Sequence, residues 1–289
     1  MHDTPKTALF AGGNVYELGP SASGVVVSAI ALTRPVLTFR NFSLRCDKSN
    51  PQVSFRSPWN WELTQGKKIA LITPNSFLDY QLIAGFAGLV PPVSGEMICD
   101  GAVSWPVGGE AGLDKNLRIC HALDFLCTVY GDCLEKSRVS LDEFWELLSR
   151  KKIHPRLLIK ELEKDQKQFF YLALSLLFLF ECYLVEKTKS YALLADSARP
   201  LRDLFRRQIE GKTLITTSTS KRFRREFCTD GLVLGSCCQI LFEGEISTAL
   251  EWADQNLELS EDTGSDDDSF EMGSELQNNE LSGGSDDDF

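Results

Sequence analysis

The chain has 289 residues, 43% of them hydrophobic and 25% charged, enough to bury the core of one large α/β domain or two small ones. Its net charge of −11 is concentrated at one end: 13 of the 41 acidic residues fall between Asp254 and Phe289, where no Lys or Arg occurs, so 28 acidic residues face 30 basic ones in the stretch before Asp254. A near-neutral body of this kind lacks the basic stripe of a nucleic-acid binder, and no nucleic-acid partner is expected.

Residues 1–35 are rich in Gly, Ser, Ala and Pro without a sustained period. They read as a loose N-terminal extension with one short strand at Gly24–Leu32. Val36–Leu44 alternates apolar and polar residues as a half-buried strand does, Asp47–Pro51 has turn composition, and Trp59–Leu63 reads as a second strand before a turn at Gly66. Lys68–Ile72 is a short β-rich run, followed by a loop over Thr73–Leu78 and an apolar helix from about Tyr80 to Gly88. Strand, loop and helix in that order is the layout in which phosphate-binding loops occur. Pro91-Pro92 stops the helix and Ser94-Gly95 turns the chain into a strand over Glu96–Trp105.

Residues 121–168 read as mostly helical. Ser140 is placed as an N-cap, and Glu143 three residues later completes a capping box ahead of Phe144, Leu147 and Leu148; Leu157, Leu158 and Leu162 continue an apolar face. Further on, the pattern predicts a helix over Phe169–Phe180, a strand over Cys182–Val185, a helix over Ala198–Ile209, a strand over Thr213–Thr216 and a helix over Lys221–Phe227. Strands Leu232–Leu234 and Gln239–Phe242 and a helix over Ile246–Ala253 complete the body. Alternating strands and helices with a helical insert argue for an α/β fold with a partly parallel sheet. The tail from 254 to 289, with its triplets Asp266–Asp268 and Asp286–Asp288, is too poor in apolar residues to fold by itself and reads as an acidic disordered tail.

Nine scattered cysteines, with no CxxC pair and only Cys237-Cys238 adjacent, fit neither a disulfide framework nor a zinc site. They read as reduced, buried thiols of a cytoplasmic protein. The three histidines, His2, His121 and His154, are far apart and outside any cluster, so no metal is expected. The opening residues lack a signal-peptide core, and the apolar run at Phe169–Phe180 is shorter than the roughly 20 residues a spanning helix needs. The basic run Lys221-Arg222-Phe223-Arg224-Arg225 reads as a solvated face, with anionic lipid headgroups or the chain's own tail as the functional alternative.

Several stretches, in consistent order over about residues 36–253, resemble the ATPases of ABC transporters, and within them the subfamily that energises export of capsular and O-antigen polysaccharides. Leu71–Met97 is similar to the family's Walker A strand, loop and helix. Ser104–Gly131 is similar to the strand, glutamine loop and helix end that follow, Leu162–Lys187 to the signature motif and Walker B strand, and Lys212–Thr219 with Phe227–Leu234 to the switch region. The resemblance implies an ABC-ATPase-like, P-loop NTPase fold with a mixed β-sheet core. The domain would span 36–253 with its helical subdomain at about 113–168.

The motif positions themselves depart from the family. A phosphate loop needs glycines so that backbone N–H groups turn inward, a Lys against the phosphate charge and a hydroxyl on Mg²⁺. Here the three glycine positions carry Thr73, Ser76 and Leu78, Pro74 lacks an N–H, Asp79 stands at the lysine and Tyr80 at the hydroxyl. An anion in place of that cation disfavours a triphosphate by several kcal/mol, on the order of a Coulomb interaction at intermediate dielectric. The signature becomes Glu163, Lys164 and Asp165, which put carboxylates where a partner's γ-phosphate would approach. The Walker B pair becomes Glu186 and Lys187, and a protonated Lys cannot act as a base. Asp114 stands at the glutamine-loop position, Leu193 at the D-loop acid and Thr219 at the switch histidine.

The resemblance and its departures together lead to an expected role. The chain reads as a catalytically inactive nucleotide-binding-domain homologue, a pseudo-ATPase with no cofactor, cytoplasmic and associated with the inner face of the membrane. It would take a structural or regulatory part in polysaccharide export through protein partners, either an active ATPase subunit or a permease. Two alternatives stay open: an ATP-binding subunit with unorthodox contacts, and a soluble scaffold unrelated to transport.

Overall fold

The computed structural model describes residues 10–11, 14–15, 34–48, 50 and 52–257. The strand expected at Gly24–Leu32 and the acidic tail from residue 258 onward lie outside them. The chain divides into two units, Met1–Thr33 and Arg34–Phe289. In the first, β1 (Phe10–Ala11) pairs antiparallel with β2 (Asn14–Val15), Phe10 opposite Val15.

The second unit opens with an antiparallel sheet in the order β4-β3-β6, built from β3 (Pro35–Ser43), β4 (Trp59–Thr64) and β6 (Ser94–Cys99). The alternation read in Val36–Leu44 is that of β3, whose Val36, Leu37, Phe39 and Phe42 are buried. Asn41 at φ +48° bulges the strand, and both neighbours shift register there. Gly95 faces the bulge: a Cβ on it would sit 2.2 Å from the carbonyl oxygens of Arg40 and Asn41, so only glycine fits. Aromatic rings fill the face beneath, Phe39 lying 5.3 Å from Phe86 and 5.7 Å from Trp59 between ring centroids.

The larger sheet has the order β11-β10-β5-β9-β8-β7. It comprises β5 (Lys68–Ile72), β7 (Val103–Pro106), β8 (Cys182–Val185), β9 (Thr213–Thr216), β10 (Asp230–Leu234) and β11 (Ile240–Glu245). All neighbours pair in parallel except β11, which runs antiparallel to β10 at the edge. Every residue of β8 and β9 is buried, because parallel strands are covered on both faces. Their side chains alternate between two cores: Cys182, Leu184 and Ile215 join α1 (Ser76–Phe86) and the antiparallel sheet, while Tyr183, Val185 and Leu214 face the helical layer.

That layer holds α2 (Ile119–Val129), α3 (Gly131–Glu135), α4 (Leu141–Arg150) and α5 (Lys164–Leu177), with α7 (Arg199–Gln208) and α8 (Lys221–Phe227) beside them. Among the described residues the remaining α-helices are α6 (Lys187–Leu194) and α9 (Ile246–Asn256). The helical reading of 121–168 holds for α2 to α4, but Leu157, Leu158 and Leu162 lie outside any α-helix, Leu158 bridging antiparallel to Arg118. Ser140 caps α4 as expected, its oxygen accepting from the Glu143 N–H at 3.1 Å. The Glu143 carboxylate, however, pairs with Arg207 of α7 instead of closing the box.

Three boundaries depart from the sequence pattern. No single strand spans Glu96–Trp105: β6 ends at Cys99, and Gly101 at φ +115° turns the chain into β7 of the other sheet, where a Cβ would sit 2.6 Å from the Glu181 Cγ. Alternation is the same in either sheet, so it cannot reveal a change of sheet. Helix α5 starts at Lys164, five residues before Phe169, and stops at Leu177, with Phe178 extended. Helix α6 follows β8 without a break and has no strong apolar stripe to announce it. Among the described residues no helix is long and apolar enough to cross a membrane.

Candidate functional site

The carboxyl ends of the parallel strands, where ligands of open α/β sheets sit, bring together three of the family-motif positions: the loop after β5, Glu186 after β8 and Thr219 after β9. Their local structure follows from single residues. The expected loop over Thr73–Leu78 is only Thr73-Pro74-Asn75, because Asn75, extended at φ −154°, caps a helix that begins at Ser76. Its side-chain oxygen accepts from the Leu78 N–H at 3.0 Å. The Asn75 carbonyl takes the Asp79 N–H at 3.4 Å. Two N–H groups of the segment are therefore bonded within the segment.

Side chains close the rest. Leu78 is fully buried and points into the aromatic core, anchoring the first turn of α1. Asp79 accepts a hydrogen bond from the Thr73 hydroxyl at 2.7 Å and lies in the first turn, where the helix dipole favours an anion. Tyr80 is 45% exposed on the outer side of the helix. The positive helix end thus has a carboxylate of the chain's own in its first turn.

Glu186 is the N-terminal cap residue of α6, and burial, only partly opposed by Lys189, pushes its carboxyl above the usual range. Lys187 is exposed. Helix α6 is tied to the segment after β9 by two hydroxyl pairs, Ser190 with Ser218 at 2.7 Å and Tyr191 with Thr219 at 2.9 Å. Behind them Arg224 of α8 is 8% exposed and donates its Nε–H to the Ser218 carbonyl. Desolvation lowers its pKa, against the pull of Cys228, Asp79, Tyr191 and Asp254. The basic run is therefore a solvated face at Lys221, Arg222 and Arg225, whereas Arg224 is structural, tucked under the strand ends.

The other motif positions are elsewhere. Glu163, Lys164 and Asp165 are exposed at the start of α5, in the helical layer, where Gln166 accepts from the Glu163 N–H at 3.1 Å and donates to the Lys151 carbonyl at 3.0 Å. Asp114 is exposed in the loop before α2 and accepts from the Asn116 N–H at 2.7 Å, closing its own turn. Leu193 is fully buried as a core residue. A cavity of about 640 Å³ lies at the opposite end of the sheet, lined by residues that precede the strands, among them Gln65, Ala102 and Glu181.

Sequence reasoning does not single out Asn75, Ser190, Tyr191 or Ser218. Asn75 was legible as an Asn directly before a helical run. The others act through contacts between α6 and the β9 loop, 28 residues apart in sequence, for which no local signal exists. Among the described residues no group of three or more His, Cys, Asp or Glu side chains is placed to hold a metal ion.

The order of the sheet, the separate antiparallel sheet and the helical layer give the chain the α/β P-loop NTPase fold seen in ABC-ATPase domains. An ATP-binding subunit of an ABC transporter superposes with a TM-score of 0.56 at 16% identity, over 76% of this chain and 92% of that one. A metal-chelate type ABC transporter in an inward-facing conformation superposes with a TM-score of 0.52 at 13% identity, over 74% and 85%.

In sequence the chain is similar to ATP-binding proteins of capsule and polysaccharide export. The capsule polysaccharide export ATP-binding protein CtrD of Neisseria meningitidis serogroup B is 24% identical over 175 residues, 61% of this chain and 79% of that protein. The ATP-binding protein BexA of Haemophilus influenzae is 24% identical over 178 residues, 61% and 78%. The polysialic acid transport ATP-binding protein KpsT of Escherichia coli is 27% identical over 188 residues, 64% and 84%. No protein-family model matches the chain.

Proposed function

We propose that the chain is a pseudo-ATPase: an ABC nucleotide-binding-domain homologue in capsular polysaccharide export that neither binds nor hydrolyses ATP in the family's manner and acts through protein contacts. The relatives named for capsule polysaccharide export and polysialic acid transport support the export setting. The observation that carries the inactive reading is the segment after β5, where Asn75 bonds the Leu78 N–H and Asp79 bonds Thr73. An incoming triphosphate would have to displace both contacts and face the Asp79 carboxylate, with no cation from the lysine position in return. At the strand end of β8, Lys187 stands where the family's carboxylate would polarise water.

A domain without turnover still has a surface for partners. The inferred partners are an active ATPase subunit of the same class or the permease it drives, and the inferred location is the inner face of the cytoplasmic membrane.

Thermal unfolding of the full chain with and without millimolar Mg-ATP tests the first half of this reading. A ligand at a hundred times its Kd would stabilise the fold by about 2.7 kcal/mol. We expect no shift and no phosphate release. A saturable shift would instead favour an ATP-binding subunit with unorthodox contacts, Glu186 as its remaining acid. Co-purification from detergent-solubilised membranes tests the second half: recovery with an export permease supports it, and a wholly soluble monomer favours a scaffold outside transport.

A further inference from the structure

We infer that the acidic tail, residues 258–289, docks back on the basic outer face of α8 as an intramolecular electrostatic clasp. This inference goes beyond the pseudo-ATPase reading and does not depend on it.

The face is set by the way α8 is seated. Phe223 and Phe227, one turn apart, meet at 4.7 Å between ring centroids, and both pack against Phe205 of α7. With that side of the helix buried, Lys221, Arg222 and Arg225 fall together on the other side at three- and four-residue spacing. All three residues are exposed, the Lys221 and Arg222 side chains by 71% and 62%. The acid of the same helix, Glu226, already accepts a hydrogen bond from Arg206 of α7 and lies 4.0 Å from Arg222. Three cations against one shared carboxylate leave the face with an excess of positive charge.

The chain leads its own counter-charge to this face. Helix α9 packs against α8, and Asp254 near its end lies 3.9 Å from Lys221. The described chain therefore stops at Leu257 beside the basic residues. Residues 258–289 carry 12 Asp and Glu and no Lys or Arg. The triplet Asp266–Asp268 begins nine residues beyond Leu257. An extended chain of that length spans at most about 30 Å, whereas a helix as short as α8 is only about 10 Å long. The first triplet can thus reach every part of the face.

Tethering decides between the tail and an anionic membrane as the occupant. A single exposed ion pair contributes little. A tethered segment, however, presents its charges at an effective concentration on the order of millimolar, and its many carboxylates can replace one another on the same cations. Any other anionic surface has to displace it, so the tail withholds the α8 face from lipid headgroups.

The experiment treats the full chain with a water-soluble carbodiimide, which condenses a carboxylate with a lysine amine in contact with it, and maps the joined peptides by mass spectrometry. We expect Lys221 to be joined to Asp254, its neighbour at 3.9 Å, and also to carboxylates of 258–289. The tail links should disappear in about 1 M salt, where the screening length is roughly 3 Å. They should also fall several-fold in a chain carrying Arg222→Gln and Arg225→Gln, both at exposed positions outside the core. Absence of any link from Lys221 to 258–289 would overturn the inference. So would tail links formed as often with Lys136, exposed at the cavity on the opposite end of the sheet. Sedimentation with vesicles of phosphatidylcholine and phosphatidylserine tests the rival occupant. The full chain should remain in the supernatant, and sedimentation that Arg222→Gln with Arg225→Gln abolishes would assign the face to lipid instead.

Discussion

Strands β5, β8 and β9 and the segments that leave their carboxyl ends sit a few residues apart but answer to different demands. Within the strands the side chains are buried on both faces, and Tyr183, Leu184, Leu214 and Ile215 each fill space that neighbours cannot vacate. At the strand ends, Asn75, Asp79, Ser190, Tyr191 and Ser218 bond one another or their own backbone. The architecture of an ABC-ATPase domain depends on the first group. Phosphate chemistry of the family's kind depends on the second, where Thr73, Ser76, Leu78, Asp79 and Tyr80 stand at the positions of the glycines, the cation and the metal-binding hydroxyl. On the proposed reading, the fold keeps its architecture while its ligand chemistry is replaced, because new side chains at a strand end that satisfy one another cost little stability.

Four substitutions test that contrast. The largest effect is expected in the core, where Phe39→Ala removes a ring packed against Phe42, Trp59, Trp61 and Phe86. It should cost about 3–5 kcal/mol in urea unfolding. A loss under about 1 kcal/mol would mean the aromatic face is not what joins α1 to the antiparallel sheet.

Next comes Asp79→Lys, which restores the family's cation at one position. It removes the bond from Thr73, puts a positive charge at a helix N-terminus and repels Arg224. We expect a destabilisation of roughly 1–3 kcal/mol and no ATP turnover, since Leu78, Tyr80, Glu163 and Lys187 remain. Measurable hydrolysis by this single variant would break the comparison outright.

Asn75→Ala deletes the cap of α1 and should cost about 1 kcal/mol. Because it also frees the Leu78 N–H, any Mg-ATP-dependent thermal shift it acquires would show that the cap alone had blocked the site.

The smallest effect is a dependence on pH. The folded-state pKa of Glu186 lies above its unfolded value of about 4.5, so the folded chain holds this proton more tightly. Its contribution to stability is fully present below pH 4.5 and is lost as pH rises through the folded value. Glu186→Gln should therefore match the parent in acid and become relatively more stable toward neutral pH; a parallel pair of stability curves would refute the desolvation of Glu186.

Much of the fold was legible from residues alone. Lys68–Ile72, Cys182–Val185, Thr213–Thr216 and Lys221–Phe227 were placed to the residue, because a short apolar or basic-amphipathic run bounded by turn residues has one local solution. The identity of each motif position, and the loss of glycine, lysine and histidine there, is likewise a property of the sequence, since charge and side-chain size do not wait for folding.

Contacts between distant segments were not legible. No local pattern announces that Glu96–Trp105 divides between two sheets, that Arg224 is buried while its basic neighbours are not, or that Tyr191 reaches Thr219. The sequence determined which chemical groups the molecule carries and the period on which each segment buries them. Only the tertiary structure decided which of those groups meet, because burial and pairing belong to two segments at once, and the chain brings them together only when both sheets and the helical layer have closed over a shared core.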